Sequence, residues 1–191
     1  MENKILVETS ARHMHLTKEA VEALYGAGAE LKVKKMLSQP GQFASDNEKI
    51  KVVGPKGEMM VSVLGPTRPA TQVELSYSDA RALGLRDVPV RESGDVAGSP
   101  GVKLVGPAGE ITINEGVIIA KRHIHFNPEQ AAVLGVENGE VVKVLIKSDR
   151  TTIYDDVVCR VNPNYELAMH IDTDECNAAG AFGLVYGEIV K

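Results

Sequence analysis

The sequence of 191 residues has no tryptophan, and aromatic residues make up only 4% of it. Its core must therefore consist mainly of Val, Ile, Leu and Ala, and the chain is long enough to bury a sizeable core of this kind. No apolar run is long enough to cross a membrane. The first residues also lack the apolar segment of a secretion signal, so we expect a cytoplasmic protein with no membrane partner.

Cysteine is scarce as well, and acidic residues outnumber basic ones. Cys159 and Cys176 are the two cysteines, and their spacing is not that of a CxxC metal or redox motif. We interpret both as buried or idle thiols in a reducing compartment. The net charge of −5 argues against a general nucleic-acid-binding protein, which normally carries a basic face. A local basic pocket for a phosphorylated small molecule is still compatible with this charge.

The chain has five histidines, and four of them belong to a repeated motif. Arg-His-x-His occurs at residues 12–15 and again at 122–125, while the fifth histidine, His170, precedes the acidic run 172–175. In a strand, residues i and i+2 point to the same side, so each histidine pair can bind one ion. Neutral imidazole is a preferred zinc ligand, and a catalytic zinc keeps one position open. The histidines therefore predict two open metal sites that also use a carboxylate, with zinc as the first choice of ion.

Short strands and turns dominate the rest of the chain. Gly-Pro-x-Gly-Glu occurs at 54–58 and again at 106–110, each time between apolar runs, which predicts the same hairpin twice. Capped helices of about two turns are predicted at 18–25, 78–85 and 128–134. Helices this short are not stable alone, so we expect them to pack on a sheet or a barrel.

The repeats predict the fold class. We expect a mainly β protein with two small β-barrel domains that are capped by short α-helices and related by an internal repeat. The Pro- and Gly-containing segment 93–101 is the best connector, which gives domains of residues 1–92 and 93–191. We also expect strand exchange between the two halves.

A third polar segment, residues 65–76, contains Arg68 in a Pro-flanked turn and Glu74 on a strand-like stretch. The guanidinium group of arginine presents a fork of donors that matches phosphate or carboxylate oxygens. Taken alone, however, each of these two residues is more often an ordinary surface charge.

In their order along the chain, these motifs resemble the PduL-type phosphate acyltransferases, also called phosphate propanoyltransferases. The resemblance runs from about residue 7 to the C-terminus. It rests on both Arg-His-x-His motifs, on Gly-Pro-x-Arg-x-x-Thr-Gln-Val-Glu-x-Ser at 65–76, and on Met-His-Ile-Asp-Thr-Asp-Glu at 169–175. It implies an enzyme that interconverts acyl-CoA plus phosphate with acyl-phosphate plus CoA. It also implies two zinc ions in an active site where two β-barrel domains meet.

The resemblance also assigns residues by position. The implied zinc ligands form two sets, His13, His15 and Glu74 for one ion and His123, His125 and His170 for the other. The open position of the second ion would face the CoA sulfur, and Arg68 would position phosphate. Residues that bind CoA, and roles for Arg12, Arg122 and Cys176, are left unassigned. Acetyl and propanoyl groups differ by one methylene, and no residue is assigned to that choice.

Two other functions are compatible with the same ligands. One is a two-metal hydrolase that acts on a thioester or phosphoester, although such sites commonly use more carboxylates. The other is a metal-binding barrel without enzymatic activity. Family members in bacterial microcompartments often carry an amphipathic N-terminal extension, and we expect none here. We therefore predict a cytoplasmic enzyme, or one encapsulated by another route, and a homo-oligomer is plausible.

Overall fold

The computed structural model describes residues 4–190 as short strands and four helices. The strands are β1 (Ile5–Thr9), β2 (His13–His15), β3 (Val33–Met36), β4 (Phe43–Ser45), β5 (Ile50–Val53), β6 (Glu58–Gly65), β7 (Gln72–Leu75), β8 (Val90–Arg91), β9 (Val102–Val105), β10 (Glu110–Ile113), β11 (Val117–Ala120), β12 (His123–Phe126), β13 (Val141–Ile146), β14 (Thr152–Val161), β15 (Ala168–Ile171) and β16 (Val185–Val190). The helices are α1 (Lys18–Tyr25), α2 (Tyr77–Leu83), α3 (Pro128–Leu134) and α4 (Thr173–Ala179).

The chain forms two compact units. Of the described residues, unit 1 contains 4–10, 38–40 and 121–190, and unit 2 contains 11–37 and 41–120. Six strands of unit 1 close into a barrel in the order β1-β15-β12-β14-β13-β16. Unit 2 is built on a sheet in the order β10-β9-β5-β6-β2-β7-β11-β8, with β3 and β4 attached beside β6. The predicted class, a mainly β fold with two strand-built units and short helices, is confirmed.

The division of the chain differs from the predicted boundary at residues 92 and 93. Strand β9 pairs with β5, and β11 pairs with β7, so the chain stays in unit 2 as far as residue 120. Strand β1 precedes unit 2 in the sequence but belongs to unit 1, because it pairs with β15 and β16 of that unit. Pairing between strands far apart in sequence sets the division, and the connector at 93–101 lies inside unit 2.

Each unit has its own apolar core, and most of its members are aliphatic, as the scarcity of aromatic residues predicts. In unit 1, Ile5, Phe126 and Val144 are fully buried, and in unit 2 Met14 and Leu104 are fully buried. Full burial of one such side chain stabilises the fold by about 1.5–3 kcal/mol. Each sheet that carries histidines therefore packs against a buried apolar core.

The two Gly-Pro-x-Gly-Glu segments are hairpin turns, as predicted. They join β5 to β6 and β9 to β10, and both pairs are antiparallel. Each turn lies against the end of a helix, where a backbone N–H of the turn donates to the carbonyl of Leu83 or Leu24. A Cβ atom at Gly54 or Gly106 would lie 2.4 Å from these same carbonyl oxygens, so each turn needs glycine there.

The helices follow the capping signals of the sequence. Helices α1 and α3 lie where they were predicted, whereas α2 starts one residue earlier than expected because Ser76 is its N-cap. Helix α4 was not predicted, although Asp172 and Glu175 form the Asp-x-x-Glu capping box that marks its start. No helix within residues 4–190 is long and apolar enough to cross a membrane.

Candidate metal centres

Both histidine pairs lie in the same structural frame. In unit 2, β2 runs antiparallel to β7, and their register places His13 opposite Glu74. In unit 1, β12 runs antiparallel to β15, and His123 lies opposite His170. Each of these four strands leads into a helix whose N-cap follows the strand's last candidate ligand by two residues. The N-caps are Thr17, Ser76, Asn127 and Asp172.

The structure brings the six predicted ligands together in two groups. We call them the first cluster, which is His13, His15 and Glu74, and the second cluster, which is His123, His125 and His170. Within each group the candidate ligand atoms all lie within 4.8 Å of one another. Five of the six residues are buried, and His170 is half-buried. Each cluster is thus a compact set of donors of the size that one metal ion needs.

In the first cluster, local contacts select the nitrogen atoms that can bind an ion. Nδ1 of His13 lies 2.9 Å from the carbonyl oxygen of Ala11, which leaves Nε2 facing Glu74 Oε2 at 3.5 Å. Nδ1 of His15 is buried and has no hydrogen-bond partner among the described residues. A buried polar atom without a partner costs free energy, and a metal ion at this position would supply the partner.

The second cluster repeats this pattern. Nδ1 of His123 lies 2.8 Å from the carbonyl oxygen of Lys121, and Nδ1 of His125 is buried without a hydrogen-bond partner in the described part of the chain. The His170 ring centroid lies 5.2 Å from that of His123 and 5.0 Å from that of His125. Two imidazoles with a carboxylate, or three imidazoles, are both donor sets that suit zinc.

Burial and neighbouring charges keep His15, His125 and Glu74 in metal-binding protonation states. Desolvation, together with the charges of His13 and Arg68, lowers the pKa of His15 to about 3. Desolvation and the charge of His170 likewise lower the pKa of His125 to about 3. Burial alone would raise the pKa of Glu74, but its interactions with His13 bring that pKa below its usual range. Neutral imidazole and ionised carboxylate are the forms that bind metal.

A hydrogen-bond network that sequence analysis missed connects the first cluster to Arg68. The Ser93 hydroxyl donates to Glu74 Oε1 at 2.8 Å, and Arg68 Nη1 donates to the Ser93 hydroxyl at 2.8 Å. Gln72 Nε2 donates to Glu74 Oε1 at 2.5 Å and to Ser93 at 2.8 Å. The backbone N–H of Gly94 in turn donates to Gln72 Oε1 at 2.7 Å. Gln72 could have been found, because it lies two residues before Glu74 and so on the same strand face.

Glu8 was missed as well, and it lies beside the second cluster. Strand β1 is parallel to β15, and their register places Glu8 opposite His170. Oε2 of Glu8 lies 3.1 Å from His170 Nε2 and accepts a hydrogen bond of 2.5 Å from the Ser38 hydroxyl. The hydrogen bond with His170 is the largest of the interactions that lower the pKa of Glu8. No sequence signal connects residues this far apart, because only the strand register brings them together.

The two cysteines are outside both clusters. Both are buried free thiols, as interpreted from the sequence, and the Cys176 thiol donates to the carbonyl of Ala181 at 3.1 Å. Burial raises the pKa of Cys159 to about 11, which makes its reactive thiolate form rare at neutral pH. Neither side chain is therefore a candidate nucleophile.

Comparison with known proteins shows the family of this chain. The family model of phosphate propanoyltransferase matches residues 6–182. A phosphate propanoyltransferase of Leptotrichia buccalis is 51% identical over 191 residues, which is 100% of this chain and 90% of that protein. The protein of the same name from Listeria monocytogenes is 47% identical over 192 residues, covering 100% and 89%. One from Thermotoga maritima is 51% identical over 177 residues, covering 92% and 83%. The chain belongs to the phosphate propanoyltransferase family and is an acyltransferase.

Proposed function

We propose that this protein is a zinc-dependent phosphate acyltransferase that interconverts propanoyl-CoA or acetyl-CoA plus phosphate with acyl-phosphate plus CoA. One observation carries the proposal. In a chain of this family, the six predicted ligands lie in two clusters, and each cluster contains a buried imidazole nitrogen without a partner among the described residues. We assign one zinc ion to each cluster.

The reaction needs no acyl-enzyme intermediate. A phosphate oxygen attacks the carbonyl carbon of the thioester, the new C–O bond forms as the C–S bond breaks, and CoA leaves as a thiolate that takes up a proton. Zinc, when bound, would supply a Lewis acid for phosphate oxygen, carbonyl oxygen or the departing sulfur. Since both cysteines are buried, direct attack by phosphate is the simplest route.

Arg68 is the residue that we assign to phosphate. Its guanidinium is joined to Glu74 through the Ser93 hydroxyl, and its charge contributes to the low pKa of His15. It therefore stands close enough to the first cluster to act on the same anion. A planar fork of N–H donors fixes a phosphate in one orientation. Holding both reactants in place can contribute roughly 7–11 kcal/mol to lowering the barrier.

The test is a thiol-release assay with the purified protein. Propanoyl-CoA or acetyl-CoA is mixed with phosphate, and free thiol is followed with and without a chelator. We expect release that requires phosphate, stops after chelation and returns when zinc is added. Release without phosphate would indicate a hydrolase, and no release with any short acyl-CoA would contradict the enzyme proposal. The ratio of kcat/KM for the two substrates then gives the preference, which one methylene limits to about 10–200-fold.

A further inference from the structure

Arg12 and Arg122 immediately precede the two histidine pairs, and both form the same kind of ion pair in the structure. Nη1 of Arg12 donates to Oδ1 of Asp79. Nη1 of Arg122 donates to Oε1 of Glu175 at 2.7 Å. Asp79 and Glu175 hold equivalent positions, because each is the third residue of its helix, α2 or α4. The same ion pair thus occurs once in each unit.

Each of these carboxylates also caps its own helix. Asp79 Oδ2 accepts a hydrogen bond from the backbone N–H of Ser76 at 3.4 Å, and Glu175 Oε2 accepts one from Asp172 at 2.9 Å. One carboxylate oxygen therefore fixes the helix start while the other binds the arginine. The N-caps Ser76 and Asp172 follow the third candidate ligands, Glu74 and His170, by two residues.

These contacts connect the third ligand of each cluster to the Arg-His-x-His motif in two ways. On one side, the strand register holds the third ligand opposite the first histidine of the pair. On the other side, the arginine next to that histidine holds the helix that begins two residues after the third ligand. Helices α1 and α3 carry Ala20 and Gln130 at their third position, so they offer no matching carboxylate. The ion pair is thus formed with the helix that follows the third ligand in both units.

Arg122 is anchored more firmly than Arg12. Its Nε donates to the carbonyl oxygen of Asp155 at 2.7 Å, and its guanidinium carbon lies 5.1 Å from the ring centroid of Tyr154. The Tyr154 hydroxyl donates to the backbone carbonyl of Glu175. The Arg122 side chain is 27% exposed, whereas that of Arg12 is 46% exposed. Because solvent screens an exposed ion pair, we expect the larger effect in unit 1.

We propose that Arg12 and Arg122 are positioning residues of the two metal clusters. Each arginine holds a helix start, and through it Glu74 or His170, at metal-binding distance from the neighbouring histidine pair. The inference rests on the proposed metal-binding function. It assigns a role to both arginines of the repeated motif without placing either one among the ligands.

The test measures zinc affinity one cluster at a time. In full-length protein carrying His13→Ala and His15→Ala, only the second cluster remains, and His123→Ala with His125→Ala leaves only the first. Each arginine variant, Arg122→Gln or Arg12→Gln, is introduced separately into both of these proteins. Zinc affinity is then measured by competition with a fluorescent chelator. We expect affinity about tenfold to hundredfold weaker at the cluster of the same unit, as for other residues that orient metal ligands. The cluster of the other unit should keep its affinity.

Matched controls separate positioning from a general loss of stability. Lys51→Gln breaks a surface pair with Glu58 of 2.9 Å in unit 2, and Lys147→Gln breaks one with Glu188 of 2.9 Å in unit 1. Ile146→Val destabilises the core of unit 1 at a buried residue that belongs to neither cluster. None of the three controls should change zinc affinity. The visible spectrum of bound cobalt should change in Arg122→Gln and stay the same in Ile146→Val.

The results distinguish this proposal from the proposed function. Parental zinc affinity in both arginine variants would overturn the positioning role, as would an equal loss of affinity in Ile146→Val. Neither result would affect phosphate-dependent thiol release by the unmodified protein. A protein that binds zinc and loses it selectively in the arginine variants, but releases no thiol, would support positioning and contradict the proposed reaction.

Discussion

The two clusters share one frame and differ in one side chain. In each, a histidine pair lies opposite a third residue in an antiparallel ladder, and a capped helix follows. That third residue is Glu74 in the first cluster and His170 in the second. An ion in the first cluster would have one positive charge neutralised by Glu74, whereas three imidazoles would neutralise none. A repeated scaffold can therefore hold two ions of different electrostatic character.

The second cluster also has a carboxylate nearby, but this carboxylate lies one strand further from the histidine pair. Glu8 is 3.1 Å from His170 Nε2, while Glu74 faces the first histidine of its own pair directly. We therefore assign unequal tasks to the two ions. An ion held by the first cluster, whose Glu74 is joined to Arg68 through Ser93, would suit phosphate. An ion held by three imidazoles would be more positive and would suit the departing thiolate, which is also a good zinc ligand. Substitutions of single residues test whether the two clusters differ in this way.

The largest effect should come from removing either cluster. We expect His15→Ala and His125→Ala each to lower kcat/KM on the order of a thousandfold, about 4 kcal/mol, because each ion stabilises charge during the reaction. Metal analysis should show zinc falling from two ions to one per chain. Normal activity in either variant would show that its cluster takes no part in the reaction.

Making the two clusters alike is the next test. Glu74→His should keep two bound zinc ions, because three imidazoles form a good zinc site, but it adds positive charge where phosphate is expected and removes the acceptor for Ser93. We expect kcat to fall by about a hundredfold, or roughly 2.7 kcal/mol. The reciprocal change, His170→Glu, provides the comparison. Full activity in both variants would mean that the difference between the clusters is unimportant.

These residues also show how far sequence reasoning reaches. The histidine pairs, the helices that follow them and the two hairpins have local signals in spacing and capping, and the structure contains them. Glu8 and Ser93 have no such signal, because strand register and a long connection bring them to His170 and Glu74. The domain boundary was misplaced for the same reason, since strand pairing across the sequence decides it. Helix α4 had a local signal, an Asp-x-x-Glu capping box, that was overlooked.

Arg68 tests the assignment of phosphate to the first cluster. Arg68→Ala should raise the KM for phosphate by about 10- to 100-fold, the equivalent of one or two charged hydrogen bonds, and leave the zinc content at two. Arg86→Ala, at an exposed position of the same unit, is the control and should behave as the parent does. Loss of zinc in Arg68→Ala would instead make Arg68 a structural residue.

Glu8 tests whether the second cluster depends on its more distant carboxylate. Glu8→Gln removes the charge that pairs with His170, and we expect zinc affinity of the second cluster to fall about tenfold. Chelator competition should detect no change at the first cluster. Glu188→Gln, in the same barrel, serves as the control. Equal affinity in Glu8→Gln and the parent would show that Glu8 does not support metal binding by the second cluster.

A further prediction concerns the stability of the metal-free protein. In the folded state burial lowers the pKa of His15 and His125 to about 3, whereas both titrate near pH 6.5 in an unfolded chain. Between these values the unfolded chain binds more protons, so the free energy of unfolding should fall as the pH falls below about 6.5. Urea unfolding at pH 7.5 and 5.5 should show a loss of about 1–3 kcal/mol. The double variant His15→Phe and His125→Phe should lose less.

Anomalous X-ray diffraction at the zinc absorption edge, on crystals of the zinc-loaded protein, would locate the two proposed metal ions directly. We predict two anomalous peaks per chain. One should be bound by His13, His15 and Glu74, and the other by His123, His125 and His170. A single peak, no peak, or zinc held by other residues would contradict the claim that the repeated frame builds two unlike metal centres.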